Sequence, residues 1–150
     1  MSDYEKAVDC FDRALELDGR NPFIWYNRGV ACSNNSREEE ALLCFDKALE
    51  LDASCENAWI NKGLILCMLG RYEDAVGCYD HVDFETCSCT DETKAFVWNN
   101  KGIAYFYMGE YDKAMSCFIR VLHIDPDYED AKLNMQRMMK GRASGKDQDF

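Results

Sequence analysis

The chain has no run of about 18 consecutive apolar residues, which excludes a membrane-spanning helix. Its opening stretch, MSDYEKAVDC, has neither the basic nor the apolar block of an export signal. Positive charge is scarce: 17 Lys and Arg stand against 28 Asp and Glu, a formal net charge of −11. That balance repels phosphate backbones and anionic lipid, so nucleic acid and membrane surfaces are not expected partners, and the expected location is the cytoplasm. The nine cysteines are odd in number and come without an export signal, so reduced thiols are expected rather than a disulfide framework.

Enzymatic machinery is equally scarce. There are two histidines, His81 and His123, and no motif sets a nucleophile beside either. The SGK at 144–146 lacks the upstream glycines and the preceding strand of a phosphate loop. The carboxylates lie at charge-pair spacing on wet helical faces, which is ordinary solvation. No catalytic residue and no cofactor is expected. What the chain does have is 47 % apolar residues, enough for a packed core in 150 residues.

It also has repetition. CFDRALELD at 10–18 returns as CFDKALELD at 44–52. Cys10, Cys44 and Cys78 are 34 residues apart, as are Ala7, Ala41 and Ala75, and Phe11, Phe45 and Tyr79. Trp25 and Trp59 keep the same step, and so do Gly29 and Gly63. A further set, Trp98, Gly102, Ala114, Cys117 and Phe118, follows after 39 residues, so five residues are inserted within HVDFETCSCTDETKA. A period of this size marks stacked copies of one supersecondary unit, none of which can bury its apolar face alone.

Each unit reads as two helices. In EEEALLCFDKALEL, Ala41, Leu42, Phe45, Ala48 and Leu49 recur at spacings of three and four, while Glu39, Glu40, Asp46, Lys47 and Glu50 take the other side. Ser36 and Glu39 have the spacing of a capping box at its start. Gly70 and Gly109 fall where the first helix must stop and turn into the second. FVWNNKGIAYFYM at 96–108 is apolar nearly all round, as a first helix sitting inside the assembly would be. Gly29, Gly63 and Gly102 fall in mid-helix, where Gly costs about 1 kcal/mol relative to Ala. Close approach of the second helix offsets that cost, with Ala41, Ala75 and Ala114 expected opposite.

The pattern W-x-x-R/K-G, then A-x-x-x-F/Y about a dozen residues later, then a Pro such as Pro126, resembles the tetratricopeptide repeat. The likeness covers about residues 4–140. Arg28, Lys62 and Lys101 stand where the family has Leu, Cys32 and Leu66 where it has Tyr, and Ala53 and Cys87 where Pro is common. The resemblance implies an all-α right-handed superhelix: a half repeat over 1–19, repeats over 22–55, 56–89 with an insertion to 94, and 95–128, and a capping helix over 128–140. Residues 141–150 are expected to be a disordered tail, since they show no periodicity. In the capping helix, Ala131, Met135 and Met138 face inward, and Gln136 replaces the packing Gly that another repeat would need.

The resemblance further implies a non-catalytic scaffold that binds a peptide segment of a partner protein in a concave groove. Carried over residue by residue, the groove holds Phe23, Tyr26, Asn27 and Val30, then Asn57, Ile60, Asn61 and Leu64, then Phe96, Asn99, Asn100, Ile103 and Phe106. Asn27, Asn61 and Asn100 recur in register. A carboxamide both donates and accepts, so such a row either holds a peptide backbone, like the asparagine ladder of some large repeat proteins, or satisfies local backbone groups. Co-chaperone members of the family grip a C-terminal carboxylate with cations. The matching positions here are Tyr26, Val30, Asn61, Phe96 and Asn100, so Hsp70 and Hsp90 tails are not expected ligands. Arg28, Lys62 and Lys101 are expected to run their stems over the core and lift their charges to the rim, paired with acids of the second helices.

Two further features call for a reading. The half repeat leaves Val8, Phe11 and Leu15 without their usual partner helix, and stacking of two such edges into a homodimer is the alternative function. Cys78, His81, Cys87 and Cys89 have the residue types of a zinc site. Cys78, however, has counterparts at Cys10, Cys44 and Cys117 with no such neighbours, so no metal is expected.

Overall fold

The computed structural model describes residues 3–144. Among them are eight helices and no strand: α1 (Asp3–Leu17), α2 (Pro22–Asn34), α3 (Glu38–Leu51), α4 (Glu56–Met68), α5 (Tyr72–Asp80), α6 (Asp91–Tyr107), α7 (Tyr111–Ile124) and α8 (Glu129–Ser144). They fall into two compact units that part after Val82, at the enlarged joint. The first holds α1–α5 and the second α6–α8.

In the first unit α2 pairs with α3 and α4 with α5, while α1 packs on α2 and α3 on α4. The stripe expected on α3 is buried: Ala41, Phe45 and Ala48 are fully enclosed, and Leu42 and Leu49 nearly so. Mid-helix Gly29 and Gly63 face aromatic rings. A Cβ at Gly29 would lie 2.7 Å from Phe45 Cε1, and one at Gly63 would lie 2.5 Å from Tyr79 Cε1. The second unit repeats the device, with Gly102 and Phe118 Cε1 at 2.6 Å. The partner of each glycine is thus the ring of the second helix rather than the expected Ala41, Ala75 or Ala114. An alanine four residues before the ring is small enough to let the helices meet, and the ring then fills the notch.

The turns obey one rule. Ser36, Gly70 and Gly109 all have left-handed φ, of 54°, 72° and 77°. The following amides, of Arg37, Arg71 and Glu110, each donate to the carbonyl five residues back: Cys32, Leu66 and Tyr105. This closes the end of the first helix with a Schellman bond. The expected capping box at Ser36 is therefore not formed. Ser36 terminates α2, and the residue before α3 is Arg37, which gives no side-chain cap. Within the first unit, indoles tie successive helix pairs: Trp25 Nε1 donates to the Gly19 carbonyl and Trp59 Nε1 to the Ala53 carbonyl, both at 3.0 Å.

α5 stops at Asp80, five residues short of the length of α3. His81 Nδ1 donates to the Gly77 carbonyl at 2.8 Å, and the His81 ring stacks on Trp59 at 3.9 Å. Beyond it Asp83 accepts from the Glu85 amide and the Thr86 hydroxyl, which builds a turn in place of helix. In the second unit Ala95, Ala114, Phe118, Val121, Ala131 and Met138 form the core, with Met135 packed against it, as expected of a capping helix. α8 continues to Ser144, four residues past its expected end, through strong helix formers Arg142 and Ala143. The rest of the expected tail, 145–150, lies outside the described residues.

The first prediction concerns the ring on its glycine. Gly63→Ala should destabilise by about 1–2 kcal/mol in urea titrations, because overpacking against the buried Tyr79 ring exceeds the gain in helix propensity. Gly77→Ala, where nothing lies within 4 Å, should instead stabilise by up to about 1 kcal/mol. Ser36→Gly should stabilise by about 0.5–1 kcal/mol by relieving the left-handed backbone. The core also sets an alkaline limit. Burial pushes the Cys78 thiol from 9.0 up to about 11 and raises the Tyr79 phenol above 10.0. The unfolded chain loses these protons first, so stability should hold below pH about 9 and fall as pH climbs toward 11, with a smaller fall in Cys78→Ala.

Candidate functional site

In the first unit, α2 and α4 are joined by one side-chain hydrogen bond, from Asn61 Nδ2 to the Tyr26 hydroxyl at 3.2 Å. The Tyr26 ring rests on Phe45 at 5.9 Å. Burial, and then the neighbouring Cys55, raise its pKa, so the phenol stays protonated at neutral pH. Helical spacing sets Phe23 and Val30 beside Tyr26, and Asn57 and Leu64 beside Asn61. Phe23 is 70 % exposed although it is a large apolar ring. Asn27, four residues after it, donates from Nδ2 to the Phe23 carbonyl at 2.7 Å. Ile60 does not belong to this face. It is only 6 % exposed, although its counterpart Tyr26 carries a hydroxyl that meets Asn61.

In the second unit α6 carries the equivalent positions. Asn100 Nδ2 donates to the Phe96 carbonyl at 2.8 Å, the same bond to the carbonyl four residues back that Asn27 makes on α2. Two of the three recurring asparagines thus serve their own helix backbone. Asn61 differs because a hydroxyl stands within reach, while the counterparts of Tyr26 are Ile60 and Asn99. Asn99 is buried and its Oδ1 accepts from Asn134 Nδ2 at 3.4 Å, because α8 covers that flank of α6. Asn99 is therefore an internal contact and not groove lining. Ile103 and Phe106 are half-buried against the core, and Phe106 meets Tyr111 at 5.5 Å. Phe96 and Asn100 remain at the surface of this unit.

Arg28 and Lys62 pair with acids of second helices, as expected, while Lys101 is buried. Arg28 Nε donates to Asp12 at 2.6 Å, and its Nη1 lies 2.9 Å from Cys44 Sγ and 3.8 Å from Cys32 Sγ. Lys62 Nζ meets Asp46 at 2.6 Å and lies 5.5 Å from the Trp59 ring centre. Asp12 and Asp46 are the acids of the duplicated CFD segments, so each duplicated aspartate takes the cation of the following first helix. Lys101 is buried, 5.1 Å from the Trp98 ring centre, and Arg120 lies 4.5 Å from the same ring. With Tyr105, Lys113 and Ser116 they border a cleft of about 330 Å³ between α6 and α7. No spacing rule announced that cleft, because Arg120 reaches Trp98 across two helices.

The remaining expected sites are placed as follows. Val8 is only 2 % exposed and lies under α2, so it is not part of a free edge, while Phe11 and Leu15 are half-buried. Cys78 is buried, and His81 spends its Nδ1 on helix capping, so packing accounts for both.

No curated protein matches the sequence. Tetratricopeptide repeat models match residues 22–55 and 95–128, and a second model of the same repeat matches residues 1–21, together more than half of the chain. Among solved structures the chain is similar to MamA, with a TM-score of 0.85 at 19 % identity, over 94 % of this chain and 80 % of that one. It is similar to YrrB, described as a TPR protein with an unusual peptide-binding site, with a TM-score of 0.76 at 23 % identity, over 89 % and 66 %. It is also similar to the first TPR of Spaghetti bound to an HSP90 peptide, with a TM-score of 0.72 at 16 % identity, over 84 % and 96 %. These identities speak for the fold. The repeated helix pairs, the rings seated on their glycines and the matched segments give one conclusion: the chain belongs to the tetratricopeptide repeat family.

Proposed function

We propose that this protein is a non-catalytic module that binds a peptide segment of a partner protein on the α2–α4 face of its first unit. Tetratricopeptide repeat proteins are generally non-catalytic interaction modules, and the chain is not an enzyme. Two of its structural neighbours are described with a peptide-binding site or a bound peptide, which supports a peptide as the ligand class. The observation that carries the proposal is the Asn61–Tyr26 hydrogen bond beside the exposed Phe23 ring. It holds two first helices in register and leaves an apolar ring that no core contact requires.

Around that pair the chemistry suits a backbone held by polar groups and side chains held by apolar ones. The Asn57, Asn61 and Tyr26 groups supply donors and acceptors, and Phe23, Val30 and Leu64 supply apolar surface. A carboxylate clamp for an HSP90-type tail is not part of the proposal, because Tyr26, Val30 and Asn61 stand where cations would be needed. Arg28 and Lys62 are already held by Asp12 and Asp46.

The test is selection of a displayed random-peptide library on the full chain, followed by anisotropy titration of the enriched peptides. Phe23→Ala should weaken binding about 5- to 30-fold, the effect of losing an interface anchor, with unchanged helicity. Asn61→Ala should weaken it less and should also release the Tyr26 phenol. Enriched peptides that bind both variants as tightly as the parent would remove the proposal for this face.

A further inference from the structure

The loop before α6 carries two cysteines two positions apart, Cys87 and Cys89. Both are half-buried, and their sulfurs lie within 4.8 Å of each other. Four other thiols, Cys32, Cys44, Cys78 and Cys117, are buried in packing, where a thiol is inert. Cys10 is exposed but sits on α1 as a single thiol with no cysteine in the adjoining turns. Residues 87–90 carry no regular secondary structure: the Asp83 turn ends with the Cys87 amide, and α6 begins after its cap, Thr90. That short stretch can shift to bring the sulfurs to bonding distance without unwinding a helix.

We infer that Cys87 and Cys89 form a reversible thiol–disulfide site whose reactant is a small neutral or cationic disulfide. In the first step one cysteine, as thiolate, attacks a sulfur of the reagent; a mixed disulfide forms, and one thiol leaves and takes up a proton. In the second, the other cysteine loses its proton and attacks the protein-bound sulfur of the mixed disulfide. The bond to the reagent breaks, and a second small thiol departs. The dithiol is oxidised by two electrons, and the small disulfide is reduced to two thiols. The neighbouring sulfur makes the second step intramolecular, so the mixed disulfide does not persist.

The charge around the pair sets the reactant. Asp83, Glu85, Asp91 and Glu92 flank it, with no cation from 82 to 93, and all four are exposed. Two of them lie within two residues of a cysteine. This field repels anionic glutathione disulfide and attracts dicationic cystamine.

The experiment treats the reduced, folded full chain with cystamine or glutathione disulfide, traps remaining thiols with iodoacetamide, and reads the peptide spanning 72–94 by fragment mass spectrometry. Cystamine should remove two hydrogens at Cys87 and Cys89 before Cys10 is fully modified, and excess cysteamine should restore them. It should act on the order of tenfold faster than glutathione disulfide at low salt, the gap narrowing at about 0.5 M salt. Cys89→Ser, with unchanged helicity, should hold a stable cysteamine adduct on Cys87. Stable mixed disulfides on the parent chain, or modification of Cys10 while the pair stays reduced, would overturn the site. Equal rates for the two reagents at low salt would overturn the choice of reactant.

Discussion

An aromatic ring seated on a glycine is the contact from which the rest of the fold follows. Phe45 on Gly29, Tyr79 on Gly63 and Phe118 on Gly102 each fill the notch left by an absent Cβ. A mid-helix glycine costs about 1 kcal/mol, and full burial of a large side chain contributes about 1.5–3 kcal/mol, so the exchange is favourable at every copy. It also fixes which side of the first helix meets the second. The flank of α4 that carries Asn61, about 200° around the helix from Gly63, is left to face something else.

A second set of contacts carries the pairing from one helix pair to the next within the first unit. The aspartate in each duplicated CFD segment takes the Arg28 or Lys62 that follows, and an indole ties each entry turn. These contacts explain why the family's usual apolar residue can be replaced by a cation at positions 28 and 62. The stems pack, the charges are paired, and the buried thiol of Cys44 accepts a further donor from Arg28. The same aspartates leave these two cations unavailable to a ligand.

Much of this was legible before any coordinates. Helix pairs follow from a period of 34 and from apolar spacings of three and four. The matches failed where one residue has two local uses. Ser36 satisfies the spacing of a capping box, but the turn needs a left-handed residue at the position that Gly70 and Gly109 fill elsewhere, and the turn wins. The family's groove pattern includes Ile60 and Asn99. In helices that are apolar nearly all round, though, the boundary between lining and core depends on what covers each flank. For Asn99 the cover is α8.

The order of residues along the chain thus settles which helices form and which rings must be buried, because those outcomes depend on local spacing and on the volume of single side chains. It does not settle which of three equivalent asparagines reaches across to a neighbour, or that two cysteines two positions apart bring their sulfurs together. Those depend on distances between segments whose separation is fixed only once the helices have packed. A hydrogen bond or a thiol pair needs tenths of an ångström, and a repeat period read from sequence carries no such length.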